Sequence, residues 1–147
     1  MNVKRFVLAC LAVFVFVFLF SWVFHGVLLK NTYAQTASMW RTESEMSQHF
    51  GWLVFGQLIQ AIAFCLIYTR SESHKRSVAF GAGYGIAVGI LKGGGSLIIH
   101  AVQPLPMSLI GAWIVGDIIQ VAIAGAILGA IYPGDAVHAP VGATVPT

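Results

Sequence analysis

The sequence predicts an all-α, polytopic membrane protein: a bundle of four transmembrane helices with both termini in the cytoplasm. Three observations carry this. Only 9% of the 147 residues are charged, against about 25% in an ordinary soluble domain, so little of the surface is built to face water. Hydrophobic residues make up 58% of the chain, and the mean hydropathy is +0.84. The apolar residues gather in four runs, about 6–29, 50–69, 78–102 and 107–132. At ~1.5 Å of rise per residue, each run is long enough to cross a hydrocarbon core of ~30 Å.

The first run, Phe6 to Leu29, holds no Asp, Glu, Lys or Arg and includes Val-Phe-Val-Phe-Leu-Phe. Lys4 and Arg5 precede it, as in a secretory signal, but the apolar part of such a signal is only about 7–15 residues long. Tyr33-Ala34-Gln35 is a poor cleavage context, so an uncleaved signal anchor is expected. The second run, Phe50 to Thr69, follows Thr42-Glu43-Ser44-Glu45. That order is a capping box, with Thr42 closing the helix start and Glu45 reaching back to its amide. The helix is therefore expected to begin near Glu43.

The third run, Val78 to Val102, is rich in glycine. Gly81, Gly85, Gly89 and Gly93 recur every fourth residue and form one face on which a second helix can approach closely. The Gly93-Gly94-Gly95 triplet also allows a kink or a short unwound stretch. A phosphate-binding reading of these glycines fails, because that fingerprint needs a strand before it, and no GK[ST] follows. The fourth run, Met107 to Tyr132, opens after Pro104 and Pro106, which break the chain at a tight turn. Gly125 and Gly129, with Ala122, Ala126 and Ala130, add a second small-residue stripe. Pro133 ends this run, and the aperiodic Ala/Pro/Gly/Val-rich segment 133–147 reads as a disordered cytoplasmic tail.

Positive charge sets the orientation. Lys4, Arg5, Arg70, Lys75 and Arg76 fall on one side, and only Lys30 and Arg41 fall on the other. The termini and the 70–77 connection are thus expected in the cytoplasm, with the 30–48 connection outside. Tyr33, Trp40, Trp22 and Trp52 suit the outer interfacial belt. The net charge of +3 is too scattered to bind nucleic acid and serves as a topology signal. Cys10 and Cys65 lie inside apolar runs without a CxxC or Cys/His spacing, so packing is their expected role.

Two charges, Lys92 and Asp117, lie deep inside spans, where each costs about 2.5–3.5 kcal/mol at a helix centre. Lys92 precedes the outer end of its helix by about ten residues and Asp117 follows the outer start of the next by about eleven, so both lie roughly 15 Å deep. A short turn makes the two helices antiparallel neighbours, and an ion pair is the simplest arrangement. Gln57, Gln60 and Gln120 fall at similar depths, with Ser96 one turn from Lys92. Together they form an intramembrane polar site for a proton, an ion or a small polar ligand, or a structural latch that fixes helix register. His25, His49 and His100 sit at three helix ends near the outer surface and are candidate metal or haem ligands. Catalytic patterns are missing: there is no HExxH and no nucleophile elbow, and Glu43 and Glu45 point to different helix faces.

Phe24-His25-Gly26-Val27-Leu28-Leu29-Lys30, with Tyr33 and Met39-Trp40-Arg41-Thr42-Glu43 after it, resembles small four-helix bacterial membrane proteins of unknown function. The fourth helix, from Ala112-Trp113-Ile114 through Gly125 to Ile131-Tyr132, is similar too. The resemblance spans about residues 20–132 and implies four helices and a bacterial inner membrane, with no reaction or cofactor attached. The expected function is a non-catalytic accessory or structural subunit of a membrane complex, with lipid and a protein partner or second copy as its contacts and no cofactor. A small oligomeric transporter or channel using Lys92 and Asp117, or a metal or haem protein using the histidines, are the alternatives.

Overall fold

A computed structural model describes residues 2–71 and 76–134. The described residues are helical with no strand. The elements are α1 (Val3–Val23), a π turn (Phe24–Leu28), α2 (Lys30–Gln35), a 3-10 turn (Ala37–Met39), α3 (Glu43–Thr69), α4 (Val78–Val102) and α5 (Met107–Ile131). Four helical stretches are long and apolar enough to span a membrane: Val3–Leu28, Glu43–Thr69, Val78–Val102 and Met107–Ile131. The expected disordered tail lies outside the described residues from position 135 onward.

Local chemistry fixes the helix starts. Asn2 accepts from the Arg5 amide at 3.1 Å, and Ser77 accepts from the Phe80 amide at 3.1 Å. At α3, Thr42 Oγ1 accepts from the Glu45 amide at 3.3 Å, while the Thr42 amide donates to Glu45 Oε2 at 2.9 Å. Each satisfies amides that have no partner within the helix. The α4–α5 turn is closed by His100, whose Nδ1–H donates to the Leu105 carbonyl at 2.9 Å.

Helices α4 and α5 form the closest pair. Gly81, Gly85, Gly89 and Gly93 are buried on one face of α4. A Cβ on Gly81 or Gly85 would enter the carbonyl oxygen of Gly125 or Val121, and one on Gly89 would stand 2.7 Å from Ile118 Cα. A methyl group is therefore excluded along two turns of the contact, and Gly125 and Gly129 on α5 are filled by Gly81 and Ser77 in the same way. The Gly93-Gly94-Gly95 triplet is not unwound; α4 runs through it as continuous α-helix. Gly93 packs on the Ile114 side chain, and an apolar environment makes internal backbone hydrogen bonds the only ones on offer.

Helix α1 packs between α5 and α3. Ala9 and Val13 on α1, Ala61, Phe64, Cys65 and Tyr68 on α3, and Val121, Ala124 and Leu128 on α5 meet in one core. Cys10 and Cys65 are free thiols buried against each other in it. Between α3 and α4 the contact is aromatic: Phe64 and Tyr84 have ring centroids 4.7 Å apart, and the Tyr84 hydroxyl donates to the Phe64 carbonyl at 2.9 Å. The Asn2 amide donates to the Tyr132 hydroxyl at 3.1 Å, and the Arg76 guanidinium lies 5.0 Å over the Tyr132 ring. Asn2, Arg76 and residues 132–134 thus share one end of the bundle, the end that also holds Lys4, Arg5 and Arg70.

At the opposite end a second core forms from Leu105, Leu109 and Ile110, with Tyr33, Trp40 and Trp113 packed on it. Tyr33 and Trp40 therefore cap the bundle as well as lying at its edge. Trp22 and Trp52, by contrast, are 66% and 73% exposed.

Candidate functional site

Lys92 on α4 and Asp117 on α5 face each other, with Nζ 2.6 Å from Oδ1. Their helices run antiparallel from a turn at 103–106, so equal distances from that turn bring them to one level. Gly89, one turn before Lys92, and Gly93, directly after it, both lie against α5, and this close approach holds the level. The side chains remain 33% and 22% exposed, so the pair is not sealed inside the bundle. Only Oδ1 of Asp117 is taken by Lys92.

A cavity of about 240 Å³ opens beside this pair, lined by Phe20, Phe24, His25, Ser96, Trp113, Gly116, Asp117 and Gln120. Gly116 is needed there, since the Phe24 ring occupies the space where a Cβ would stand. Gln120 is 4% exposed and joins α5 to α1: its Nε2 donates to the Val17 carbonyl at 3.0 Å and to Ser21 Oγ at 2.8 Å. Both amide protons are spent on α1, and Oε1 is left over.

His25 lies in the π turn Phe24–Leu28. Such turns carry one extra residue per turn and often occur at functional sites. His25 Nδ1 is 2.7 Å from the Tyr33 hydroxyl, and the indole Nε1–H of Trp113 donates to that same hydroxyl at 2.9 Å. Indole nitrogen is a donor only, so the Tyr33 proton is free to point to His25 Nδ1. That assigns the His25 ring the tautomer protonated at Nε2. Burial pushes the Tyr33 phenol above its usual range, opposed by the Trp113 bond, and Tyr33 stays a donor at neutral pH.

The polar positions divide. Lys92, Asp117, Gln120 and Ser96 come together around the ion pair and its cavity. Gln57 and Gln60 on α3 do not reach it. Gln57 turns inward and its Oε1 is buried without a hydrogen-bond partner. Gln60 is exposed. Two residues three apart on a helix differ by about 60° around the axis, enough to turn one inward and the other out.

The histidines do not converge. His25 bonds Tyr33, His49 Nδ1–H donates to the Glu45 carbonyl at 2.8 Å, and His100 closes the α4–α5 turn. Among the described residues no three His, Cys, Asp or Glu side chains are grouped to hold a metal ion. The expectation of a shared metal or haem site on His25, His49 and His100 is thereby corrected: each ring is committed to a local partner.

Sequence reasoning missed the aromatic wall, Phe20, Phe24 and Trp113, and the Tyr33 relay to His25. The depths of these residues were readable, but the π turn that rotates His25 has no sequence signal.

No protein-family model, no curated protein and no solved structure matches the chain.

Proposed function

We propose that the chain is a non-catalytic accessory or structural subunit of a bacterial inner-membrane assembly, with both termini cytoplasmic. The observation that carries the reading is Gln60. It is exposed on α3, nine residues from Thr69 at the helix end, and so about 14 Å inside the membrane. An amide facing lipid has nothing to bond, and leaving a polar group bare in hydrocarbon costs several kcal/mol. A neighbouring protein helix removes that cost.

Around Gln60, α3 offers Leu53, Ile59 and Ile67, which are 51%, 51% and 61% exposed. The small-residue stripes of α4 and α5 are consumed within the chain, so α3 is the face left for a partner. The basic end of the bundle supports a cytoplasmic assignment, and the resemblance noted above supports a bacterial membrane. Purification in mild detergent is expected to give a fixed complex or oligomer, and Gln60→Leu is expected to shift it to the free chain. Wild-type protein that runs as a clean monomer, or a Gln60→Leu complex as stable as wild type, sinks the reading.

A further inference from the structure

We propose that the cavity between α1, α4 and α5 is a binding site for a small protonated amine, held by Asp117 and the aromatic wall. This inference goes beyond the assembly reading and does not depend on it.

Most of the hydrogen-bond donors around the cavity are already taken. The Trp113 N–H is spent on Tyr33, and both Gln120 amide protons are spent on Val17 and Ser21. Lys92 reaches Asp117 without belonging to the cavity wall. What the wall still offers is mostly acceptor: the second oxygen of Asp117, the Oε1 of Gln120 and the Ser96 hydroxyl, against one unspent donor, the His25 Nε2–H. An anion would meet a carboxylate and few donors. A primary ammonium, with three donors and no acceptor, meets its complement.

The rest of the wall fits the same cation. Phe20 and Phe24 have ring centroids 5.7 Å apart, and Trp113 stands with them around the cavity. Aromatic faces attract cations most strongly where water is displaced, and their hydrocarbon accepts a short alkyl chain. The cavity volume of about 240 Å³ equals some eight water molecules at ~30 Å³ each. That admits a short alkylammonium.

Lys92 sets the strength of binding. Its ammonium holds Oδ1 of Asp117 and repels a second cation at Oδ2, so the resident lysine and the ligand compete for one carboxylate. Removing Lys92 should therefore strengthen binding, whereas removing the Asp117 charge should abolish it. A purely structural ion pair predicts no binding by the wild-type chain, in which Lys92 already satisfies Asp117.

The test is calorimetric titration of the purified full-length chain with n-propylammonium, 1-propanol and propionate, in detergent free of phosphatidylethanolamine. Propylammonium is expected to bind, with the alcohol and the carboxylate at least tenfold weaker. Lys92→Met should bind it at least tenfold tighter, and Asp117→Asn at least tenfold more weakly. Equal binding of propanol and propylammonium overturns the proposal, and that comparison needs no variant. So does undiminished binding by folded Asp117→Asn. Ser96→Leu, which fills the cavity and leaves the ion pair in place, should block binding; if it does not, the amine sits elsewhere. Repeating the titration in phosphatidylethanolamine bilayers identifies the source: a free amine still binds, whereas a lipid headgroup already seated on Asp117 competes it away.

Discussion

Helices α3 and α4 are of nearly equal length and each is long and apolar enough to cross a membrane, yet they are held in opposite ways. Helix α4 is fixed by backbone: four glycines in register let α5 approach until no methyl group fits between them. Helix α3 is fixed by side chains, through Phe64, Cys65 and Tyr68 near one end, and its other half is held more sparsely, with Phe50 edge-on to Phe18 of α1. In lipid, removal of apolar surface from water no longer drives packing, so close backbone approach and polar contacts must. Helix α4 has both within the chain. Helix α3 has a buried Gln57 oxygen without a partner and an exposed Gln60, which is the condition of a helix awaiting a neighbour.

The contrast can be broken most severely at Gly85. Gly85→Leu drives a side chain into the Val121 carbonyl and should cost more than ~3 kcal/mol, read as loss of thermal stability in detergent. Ala63→Leu on the exposed face of α3 is expected to stay within about 0.5 kcal/mol. Equal costs would show that the two helices are packed alike.

Next in size is the ion pair. Lys92→Met leaves Asp117 without its charge partner and should cost about 3–5 kcal/mol, most of it recovered in Lys92→Met/Asp117→Leu. Additive losses in that double variant would mean that the two residues are not coupled.

The smallest effect sharpens the α3 side. Tyr84→Phe removes the hydroxyl bond to Phe64 while keeping the ring contact, and should cost about 1 kcal/mol. If α3 were anchored to α4 along its whole length, the loss would vanish among other contacts. Protection of α3 amides in hydrogen exchange should instead fall with this single hydroxyl.

Much of the fold was legible because it follows from length and hydropathy alone. The spans and the capping box at Thr42 and Glu45 needed nothing beyond helix geometry and local hydrogen bonding. The Lys92–Asp117 contact was legible for a related reason: a constant rise per residue turns sequence distance from a tight turn into depth. Rotation about the helix axis was not legible. Gln57 and Gln60 share a depth with the ion pair but lie on a helix whose azimuth is set by α1, so they never approach it. The histidines all lie toward helix ends, but each satisfies a nearby carbonyl or hydroxyl, a choice made by local geometry that spacing does not encode. Phe24 enters the cavity wall only because Gly116, 92 positions later, lacks a side chain, and no local pattern links the two.

The pairing of Lys92 with Asp117 also bears on how the protein enters the membrane during synthesis. The two residues are 25 positions apart, on neighbouring spans joined by a short turn. An α4 segment released alone into lipid carries an uncompensated ammonium, at about 2.5–3.5 kcal/mol. The same segment released together with α5 is neutral, and its glycine face is already covered. The hairpin from Val78 to Ile131 is thus the natural unit of insertion, handed to the bilayer as a single electrically silent object.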